Sequence, residues 1–330
     1  MRPMLSRTAE HVSDSRAPLP VRRASLPEPL EQRHQLGQRT STRSEVYARP
    51  DVYDMEYEGA TNHDARFFSR LLARVRPRRV LELACGSGRV TFTLAEALPK
   101  TEIAGVDSSV DMLGKAAALR HAAEPSLRER VSLVEGDMRD WPGIGDAFDA
   151  VVIACCSVSH LLTLDDRRRT WANAFRLLRP GGVFILDIRM PDLATLAETQ
   201  RVRPRAFVDL DIDATRRTVG EEARLLRCTA TTYELHLQRA DVRLFYDRFD
   251  KHALAERLVT DFASHVYFPA ELELLFVSAG FEIAEQYGDH RFVRFDRTSP
   301  YVVTVARRPR LQSVASRRRS PGRRQQRAIR

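Results

Sequence analysis

The feature that most constrains the fold is the stretch VLELACGSGRV at residues 80–90. Its first half is apolar apart from Glu82, and its second half is a run of small residues that ends at Gly88. Val90, Leu94 and Leu98 then recur at the spacing of one helix face. We therefore expect a buried strand, a tight turn and a helix in succession, an arrangement that can hold a nucleotide at the helix N-terminus.

The same alternation of strand and helix continues as far as residue 188. The run FDAVVIA at 148–154 is almost continuously apolar, as expected for a strand buried on both faces. Ser108 is predicted to cap a helix, with Asp111 completing a capping box. A further helix is predicted over 165–178, closed by the Pro-Gly-Gly that follows. Strands are predicted at 79–84, 102–106, 131–134, 148–154 and 183–188, a pattern that indicates an α/β fold with a parallel sheet.

The rhythm changes after residue 188. The stretches RCTATTYELHLQ, VRLFYDRF and SHVYF are rich in β-branched and aromatic residues, and no long helix is predicted between them. We interpret residues of about 205–268 as an insertion of antiparallel strands. The stretch PAELELLFVSAGF is then predicted to form a helix that ends at Gly280, and FEIAEQYG and YVVTVAR are the last two strands.

Charge is distributed unevenly along the chain. Residues 307–330 hold ten arginines and no acid, whereas 51–306 hold 34 Lys and Arg against 39 Asp and Glu. The basic character therefore lies in the tails and the folded part is mildly acidic. We expect a disordered extension over 1–46, a domain over 47–306 and a disordered basic tail over 307–330, because both ends lack periodicity.

The composition also bears on where the chain works. No apolar run is long enough for a transmembrane helix, and the N-terminus lacks the apolar core of a secretory signal. The four cysteines show no CxxC spacing. We therefore expect a cytoplasmic protein with no membrane partner and no disulfide framework.

Three nucleotide-binding patterns compete for the turn after the first strand. No P-loop string GxxxxGK[ST] occurs, and Thr91 stands where the third glycine of a NAD fingerprint belongs. The remaining pattern, E-x-A-x-G-x-G, is that of a turn for S-adenosylmethionine. Two acids accompany it: Asp107 closes the second strand and can bind the ribose diol, and Asp137 follows the third and can accept from an adenine amino group.

The segments ELACGSG, GVDSSVDML, VEGDMRDW, FDAVVIACCSVSHL and RLLRPGGVFILDI resemble, in order and spacing, those of class I S-adenosylmethionine-dependent methyltransferases. The resemblance covers roughly residues 47–306. It implies a Rossmann-like, mostly parallel seven-stranded sheet with its last strand antiparallel and helices on both faces. It also implies an antiparallel β insertion before the penultimate helix.

A closer resemblance is to small-molecule members, including aminosugar N-methyltransferases. It lies in Tyr53-Asp54, in GDMRD at 136–140, and in CSVSHL at 156–161, where Cys156 replaces a serine. It implies a small-molecule acceptor with a nitrogen or oxygen nucleophile, a substrate-side histidine at His160 and a lid that contains Tyr53 and Tyr57.

Methyl transfer from a sulfonium mainly needs alignment, and a base helps an amine or hydroxyl nucleophile. We predict catalytic roles for His160, which follows the fourth strand, and for Tyr53. His63 and Arg66 are candidates for the cofactor carboxylate, and Trp141 either stacks near adenine or packs. The predicted cofactor-binding residues are Tyr57, Glu82, Ala84, Gly86, Gly88, Asp107, Ser108, Met112, Asp137, Met138 and Cys155.

Other functions stay open on the sequence alone. A nucleic-acid methyltransferase could use the arginine-rich tail, but the place where base-amino methyltransferases carry [DN]PP[YF] reads ACCS. A non-catalytic cofactor-binding module and a NAD dehydrogenase are further alternatives. The histidines show no HxH or HExxH spacing, so no metal site is expected. The insertion is a candidate to shape the acceptor pocket and to pair two subunits into a homodimer.

Overall fold

The computed structural model describes residues 45–50, 53–54, 62–145, 147–199, 207–211, 215–218, 221–250 and 253–310. All of them lie in one compact unit, Arg43–Arg330. The predicted extension over 1–46 lies outside the described residues except for 45 and 46, and the predicted tail except for 307–310. Tyr57 also lies outside them.

Helices and strands alternate in the first half of the chain and strands dominate the second. In chain order the elements are α1 (His63–Val75), β1 (Arg79–Leu83), α2 (Arg89–Ala97), β2 (Glu102–Asp107), α3 (Val110–Ala122), α4 (Pro125–Arg128), β3 (Val131–Glu135), β4 (Phe148–Ile153), α5 (Leu164–Leu177), β5 (Leu178–Arg189), α6 (Leu193–Thr199), β6 (Phe207–Asp211), β7 (Thr215–Thr218), β8 (Glu221–Glu234), β9 (Arg239–Asp250), β10 (Ala253–His265), α7 (Pro269–Ser278), β11 (Glu282–Tyr287) and β12 (Tyr301–Arg307).

The main sheet has seven strands in the order β11-β12-β5-β4-β1-β2-β3. Strands β1 to β5 pair in parallel with one another, and β12 runs antiparallel to both β5 and β11. The predicted mostly parallel sheet with an antiparallel last strand is therefore confirmed. The order reverses between β1 and β4, and open α/β sheets bind ligands outside the carboxyl ends of the strands at such a point.

Alternate residues of each central strand enter different cores, because successive side chains point to opposite faces of the sheet. Leu81 and Val151 pack with Trp171 of α5 and with α7 on one face. Val80 and Val152 pack with α1 and α2 on the other face. The prediction of helices on both faces is confirmed.

The insertion is a second, antiparallel sheet in the order β10-β9-β8-β6, and β7 also pairs with β8. Two details of the prediction are wrong. Strand β10 lies at Ala253–His265 and ends before most of SHVYF, because Tyr267 leaves the sheet and is buried in the main core. The insertion precedes α7, the last helix of the described chain, rather than a penultimate one.

Two predicted helix ends shift by one residue. The cap of α3 is Ser109, not Ser108, because Ser109 has an extended backbone and its hydroxyl accepts from Met112 N at 3.3 Å. Helix α5 ends at Leu177, and the Pro-Gly-Gly segment that follows belongs to an irregular start of β5. None of the described helices combines the length and apolarity that a membrane crossing requires.

Candidate functional site

The turn after β1 is built from left-handed backbone. Gly86 has a φ of 56° and Gly88 a φ of 86°, a region that glycine enters without a steric cost. A Cβ on Gly88 would lie 2.8 Å from Cε2 of Phe92, so that position also needs glycine for close packing. Ala84 shares this conformation at φ 59°, which is strained for a residue with a Cβ and is typical of functional sites. Because α2 begins at Arg89, the turn presents its helix N-terminus.

A cleft of about 290 Å³, open solvent included, lies beside this turn at the carboxyl ends of β1 and β4. Its volume is at the small end for a ligand site. The predicted site residues that line it are Tyr53, Glu82, Ala84, Gly86 and Cys155. Residues Cys85, Ser87, Arg89, Val90, Ala154 and Ser157 complete its wall.

Glu82 is buried within this wall, with 1% of its surface exposed. Burial raises the pKa of Glu82 to about 8, against the opposing effects of a hydrogen bond from Thr91 and the charge of Arg89. The hydroxyl of Thr91 donates to Oε2 of Glu82. Thr91, which stands where a NAD fingerprint has its third glycine, is thus hydrogen-bonded to Glu82 in the wall of the cleft.

Asp107 braces the glycine turn from the end of β2. Its Oδ2 accepts from Gly86 N at 2.8 Å, and its Oδ1 accepts from Ser109 N at 2.7 Å. Each carboxylate oxygen has further lone-pair capacity, so the group can also receive ribose hydroxyls. Ser108 is exposed beside it, and Met112 is buried under Gly86, where an added Cβ would lie 3.3 Å from Cε of Met112.

Asp137 already has a partner that the sequence interpretation missed. Arg139 donates through Nε at 2.9 Å to Oδ1 and through Nη2 at 2.5 Å to Oδ2 of Asp137. Burial acts to raise the pKa of Asp137, but the bonds from Arg139 lower it overall. Met138 packs partly buried against the main core, and Trp141 is buried there under Gly136. This burial favours packing among the two roles considered for Trp141.

A partly buried polar cluster of Asp64, Arg89 and Cys155 was not predicted. Arg89 binds Asp64 through both terminal nitrogens, at 2.7 and 2.6 Å, and its Nη2 also lies 2.6 Å from Sγ of Cys155. The Asp64 carboxylate lies 3.0 Å from the same sulfur. Burial, aided by Asp64 but opposed by Arg89, raises the pKa of Cys155 and so favours the neutral thiol over the nucleophilic thiolate. The cluster fixes one wall of the cleft.

Strained backbone follows β4. Cys155 and Cys156 both have a φ of 56°, which is uncommon outside glycine and asparagine. Asp187, at the end of β5 and 1% exposed, accepts from Cys156 N at 3.1 Å, and its other oxygen lies 3.0 Å from Nε2 of His290. Burial opposes the charged form, yet the pair with Asp187 raises the pKa of His290. The only sequence signal was an acid within the buried strand VFILDI.

His160 ends a 3-10 turn, Ser157–His160, that leads away from the strained residues. Its Nε2 lies 2.7 Å from Oη of Tyr47, and the ring of Phe262 in β10 is 5.6 Å away. The surrounding protein lowers the pKa of His160, because it disfavours the imidazolium, although the residue as a whole is exposed to solvent. Tyr53, the other residue predicted to be catalytic, lines the cleft, with its ring 5.9 Å from that of Tyr47.

His63 and Arg66 are both exposed at the start of α1 and do not line the cleft. Their neighbour Asp64 instead contacts Arg89 and Cys155 in the wall of the cleft.

Among the described residues, no group of three or more His, Cys, Asp or Glu is arranged to hold a metal ion. All four cysteines are free thiols.

Comparison with known families identifies one domain. Residues 80–182 match the family described as a methyltransferase domain. Among curated proteins, the chain is 34% identical over 140 residues to the glycine/sarcosine N-methyltransferase of Aphanothece halophytica, covering 42% of this chain and 51% of that protein. It is 32% identical over 146 residues to the trans-aconitate 2-methyltransferase of Streptomyces avermitilis, covering 43% and 52%. The chain thus spans about half the length of these relatives.

Similarity to a solved structure extends further along the chain. The CcbJ methyltransferase from Streptomyces caelestis superposes with a TM-score of 0.62 and 26% identity, covering 74% of this chain and 95% of that one. This structural similarity covers more of the chain than the family match does, so it includes residues outside 80–182.

Proposed function

We propose that this chain, whose residues 80–182 match the family described as a methyltransferase domain, transfers a methyl group from S-adenosylmethionine to a nitrogen or oxygen of a small-molecule acceptor. The observation that carries the proposal is one cleft at the carboxyl edge of the sheet. It joins the glycine turn and Glu82 to Tyr53 and Cys155, and the turn that bears His160 begins at its rim with Ser157.

The residues present fit the cofactor. The glycine turn admits a close approach of a ligand to backbone N–H groups, and Asp107 lies 21 residues after Gly86 in position for the ribose diol. Asp137 and Met138 are the residues proposed for adenine, with Arg139 holding the Asp137 carboxylate in place. Bound S-adenosylmethionine supplies an activated methyl carbon, so the protein needs mainly to align the nucleophile with it.

His160 is proposed as the base that removes the acceptor's proton. In the tautomer in which Nε2–H donates to Tyr47, the lone pair on Nδ1 is free to take that proton. A lowered pKa keeps the imidazole neutral, and therefore able to accept, at neutral pH. Tyr47 is proposed to fix the orientation of the ring, a role that the sequence interpretation gave to no residue.

The insertion is proposed to cover the acceptor. Leu244 and Tyr246 of β9 form a small apolar cluster with Tyr47, Tyr53 and Phe262. This cluster supports an acceptor with an apolar or aromatic portion next to the reacting group.

The exposed side chains of Leu254 and Val259 on β10 support a homodimer formed through the sheet of the insertion, which light scattering would measure. A cytoplasmic location is proposed from the cysteine spacing alone.

The test combines binding and turnover. Calorimetry with S-adenosylhomocysteine should give saturable binding, and a panel of small amines, hydroxy compounds and carboxylates should reveal one acceptor that gains a methyl group by mass spectrometry. His160→Ala should lower turnover while leaving the affinity for S-adenosylhomocysteine unchanged. Binding of NADH without binding of S-adenosylhomocysteine would refute the proposal, and methyl incorporation into RNA alone would replace the small-molecule acceptor.

A further inference from the structure

The turn that carries His160 is held by side chains that do not line the cleft. Tyr267 Oη donates to the carbonyl oxygen of Val158 at 3.0 Å. Arg167 Nη1 donates to the carbonyl oxygens of Leu161 and Leu162 at 3.1 and 3.2 Å. These carbonyl groups bracket His160 on both sides along the chain, so the two donors fix the backbone from which the imidazole projects.

Both donors are themselves immobilised. Tyr267 is 1% exposed and Arg167 is 7% exposed. The Tyr267 ring packs edge-on against His265 with the centroids 4.6 Å apart, and Trp171 lies on another side at 6.4 Å. The guanidinium carbon of Arg167 is 6.0 Å from the centre of the Tyr267 ring. Neither side chain can move without repacking the core, because buried side chains are closely packed.

One carboxylate, Glu271 on α7, joins this arrangement to the insertion. Its Oε1 lies 3.5 Å from Nε of Arg167 and 2.9 Å from Nε2 of His265, the last residue of β10. Its Oε2 accepts from Nε2 of Gln238, just before β9, at 2.7 Å. A single carboxylate on α7 therefore contacts helix α5, the last residue of β10 and the residue that precedes β9.

We infer that Glu271, Arg167 and Tyr267 form a clamp that positions His160 for methyl transfer, and that this clamp couples the position of His160 to the covering insertion. The inference rests on the proposed function. The three are positioning residues, since none of them lines the cleft. A displacement of about 1 Å at a reacting group can cost about a hundredfold in rate, so loss of one clamp contact is expected to appear in kcat.

The test uses Glu271→Gln in the full chain. This change keeps the shape of the side chain but removes the charge that Arg167 and His265 contact. The matched control is Glu273→Gln, which removes an exposed carboxylate from the same helix. We expect Glu271→Gln to lower kcat about tenfold with the affinity for S-adenosylhomocysteine unchanged, and the control to leave both unchanged.

A double-mutant cycle separates positioning from a general loss of stability. If the clamp acts through His160, Glu271→Gln added to His160→Ala should lower kcat by less than about a further twofold. A tenfold fall in both backgrounds would overturn the inference. Tyr267→Phe provides a second variant, because it removes only the hydroxyl that binds Val158 and keeps the ring in the core. It should show the same dependence on His160.

A measurement without turnover distinguishes failure of the clamp from failure of the proposed function. The ring resonances of His160, assigned by comparison with His160→Ala, should shift in Glu271→Gln and Tyr267→Phe and stay unchanged in Glu273→Gln. Unchanged resonances in both clamp variants would overturn the inference even if methyl transfer is established. If they shift while His160→Ala keeps full turnover, the clamp stands as a structural feature, but the role of His160 in the proposed function fails, and the inference that the clamp serves methyl transfer fails with it.

Discussion

Oη of Tyr47 and Nε2 of His160 lie 2.7 Å apart, although 113 positions separate the two residues in the chain. The contact joins the N-terminal segment to the turn after β4. Ser109 adds a second tie to this segment, because its hydroxyl donates to the carbonyl oxygen of Tyr47 at 3.2 Å. The N-terminal segment is therefore fixed at once to the turn that bears His160 and to the cap of α3.

Removing the Tyr47 hydroxyl should weaken catalysis more than binding. Tyr47→Phe is expected to lower kcat about two- to tenfold, because one hydrogen bond contributes about 0.5–1.5 kcal/mol. The affinity for S-adenosylhomocysteine should not change. Steady-state kinetics measure kcat in both variants. The control is Tyr287→Phe, which changes a tyrosine on β11. Equal effects of the two substitutions would argue against a role for Tyr47 at His160.

Asp107 should matter chiefly for the cofactor. Asp107→Ala removes the acceptor for two backbone N–H groups and for the proposed ribose contact, so the dissociation constant for S-adenosylhomocysteine should rise at least about tenfold. Calorimetry measures it, with Glu96→Gln on the exposed side of α2 as the control. Unaltered affinity in Asp107→Ala would show that the carboxylate only braces the turn.

Replacing Glu82 should remove a pH dependence of stability. Its pKa of about 8 in the folded state exceeds the ordinary carboxyl value, so the folded protein holds an extra proton between about pH 4.5 and 8. The contribution of Glu82 to folding stability therefore falls as pH rises through this window. Glu82→Gln should be more stable than the wild type at pH 9 and similar at pH 5, as judged by urea denaturation. A parallel pH dependence in the two proteins would contradict this assignment.

Pairing with Asp187 should give His290 a pH dependence of folding stability opposite to that of an isolated buried histidine. The pKa of His290 is raised in the folded state, so its contribution to stability is present below about pH 6.5 and is lost as pH rises through the higher folded value. His290→Gln should therefore destabilise the protein more at pH 5.5 than at pH 8.5. Thermal unfolding of His121→Gln, an exposed histidine on α3, supplies the control. Equal destabilisation at both pH values would mean that the pair carries no charge.

The main sheet could be predicted from sequence because each buried strand can be recognised from its own few residues. FDAVVIA and VFILDI are apolar apart from one aspartate each, as expected for strands buried on both faces. Strand β10 was missed over most of its length because ALAERLVTDF mixes charges with apolar residues, as a half-exposed strand does. The choice between Ser108 and Ser109 as a cap depends on one residue's backbone angle, which adjacent serines do not reveal.

The site was predictable only where a motif is contiguous. Glu82, Ala84 and Gly86 lie within seven residues of one another and all line the cleft. Asp64, Asp187 and Tyr47 come from distant segments, and only the fold brings them to Arg89, Cys156 and His160. The assignments of His160 and Tyr53 as catalytic and of the cofactor-binding residues stay predictions.

Methyl transfer by this chain is proposed to depend on His160. The most direct measurement is the rate at which a labelled methyl group of S-adenosylmethionine passes to the acceptor identified by the panel, in the wild type and in His160→Ala. If His160 is the base, the rate should fall at least about a hundredfold in His160→Ala, as expected for loss of a general base, with S-adenosylhomocysteine bound equally well. Transfer at the wild-type rate in His160→Ala would contradict this role of His160.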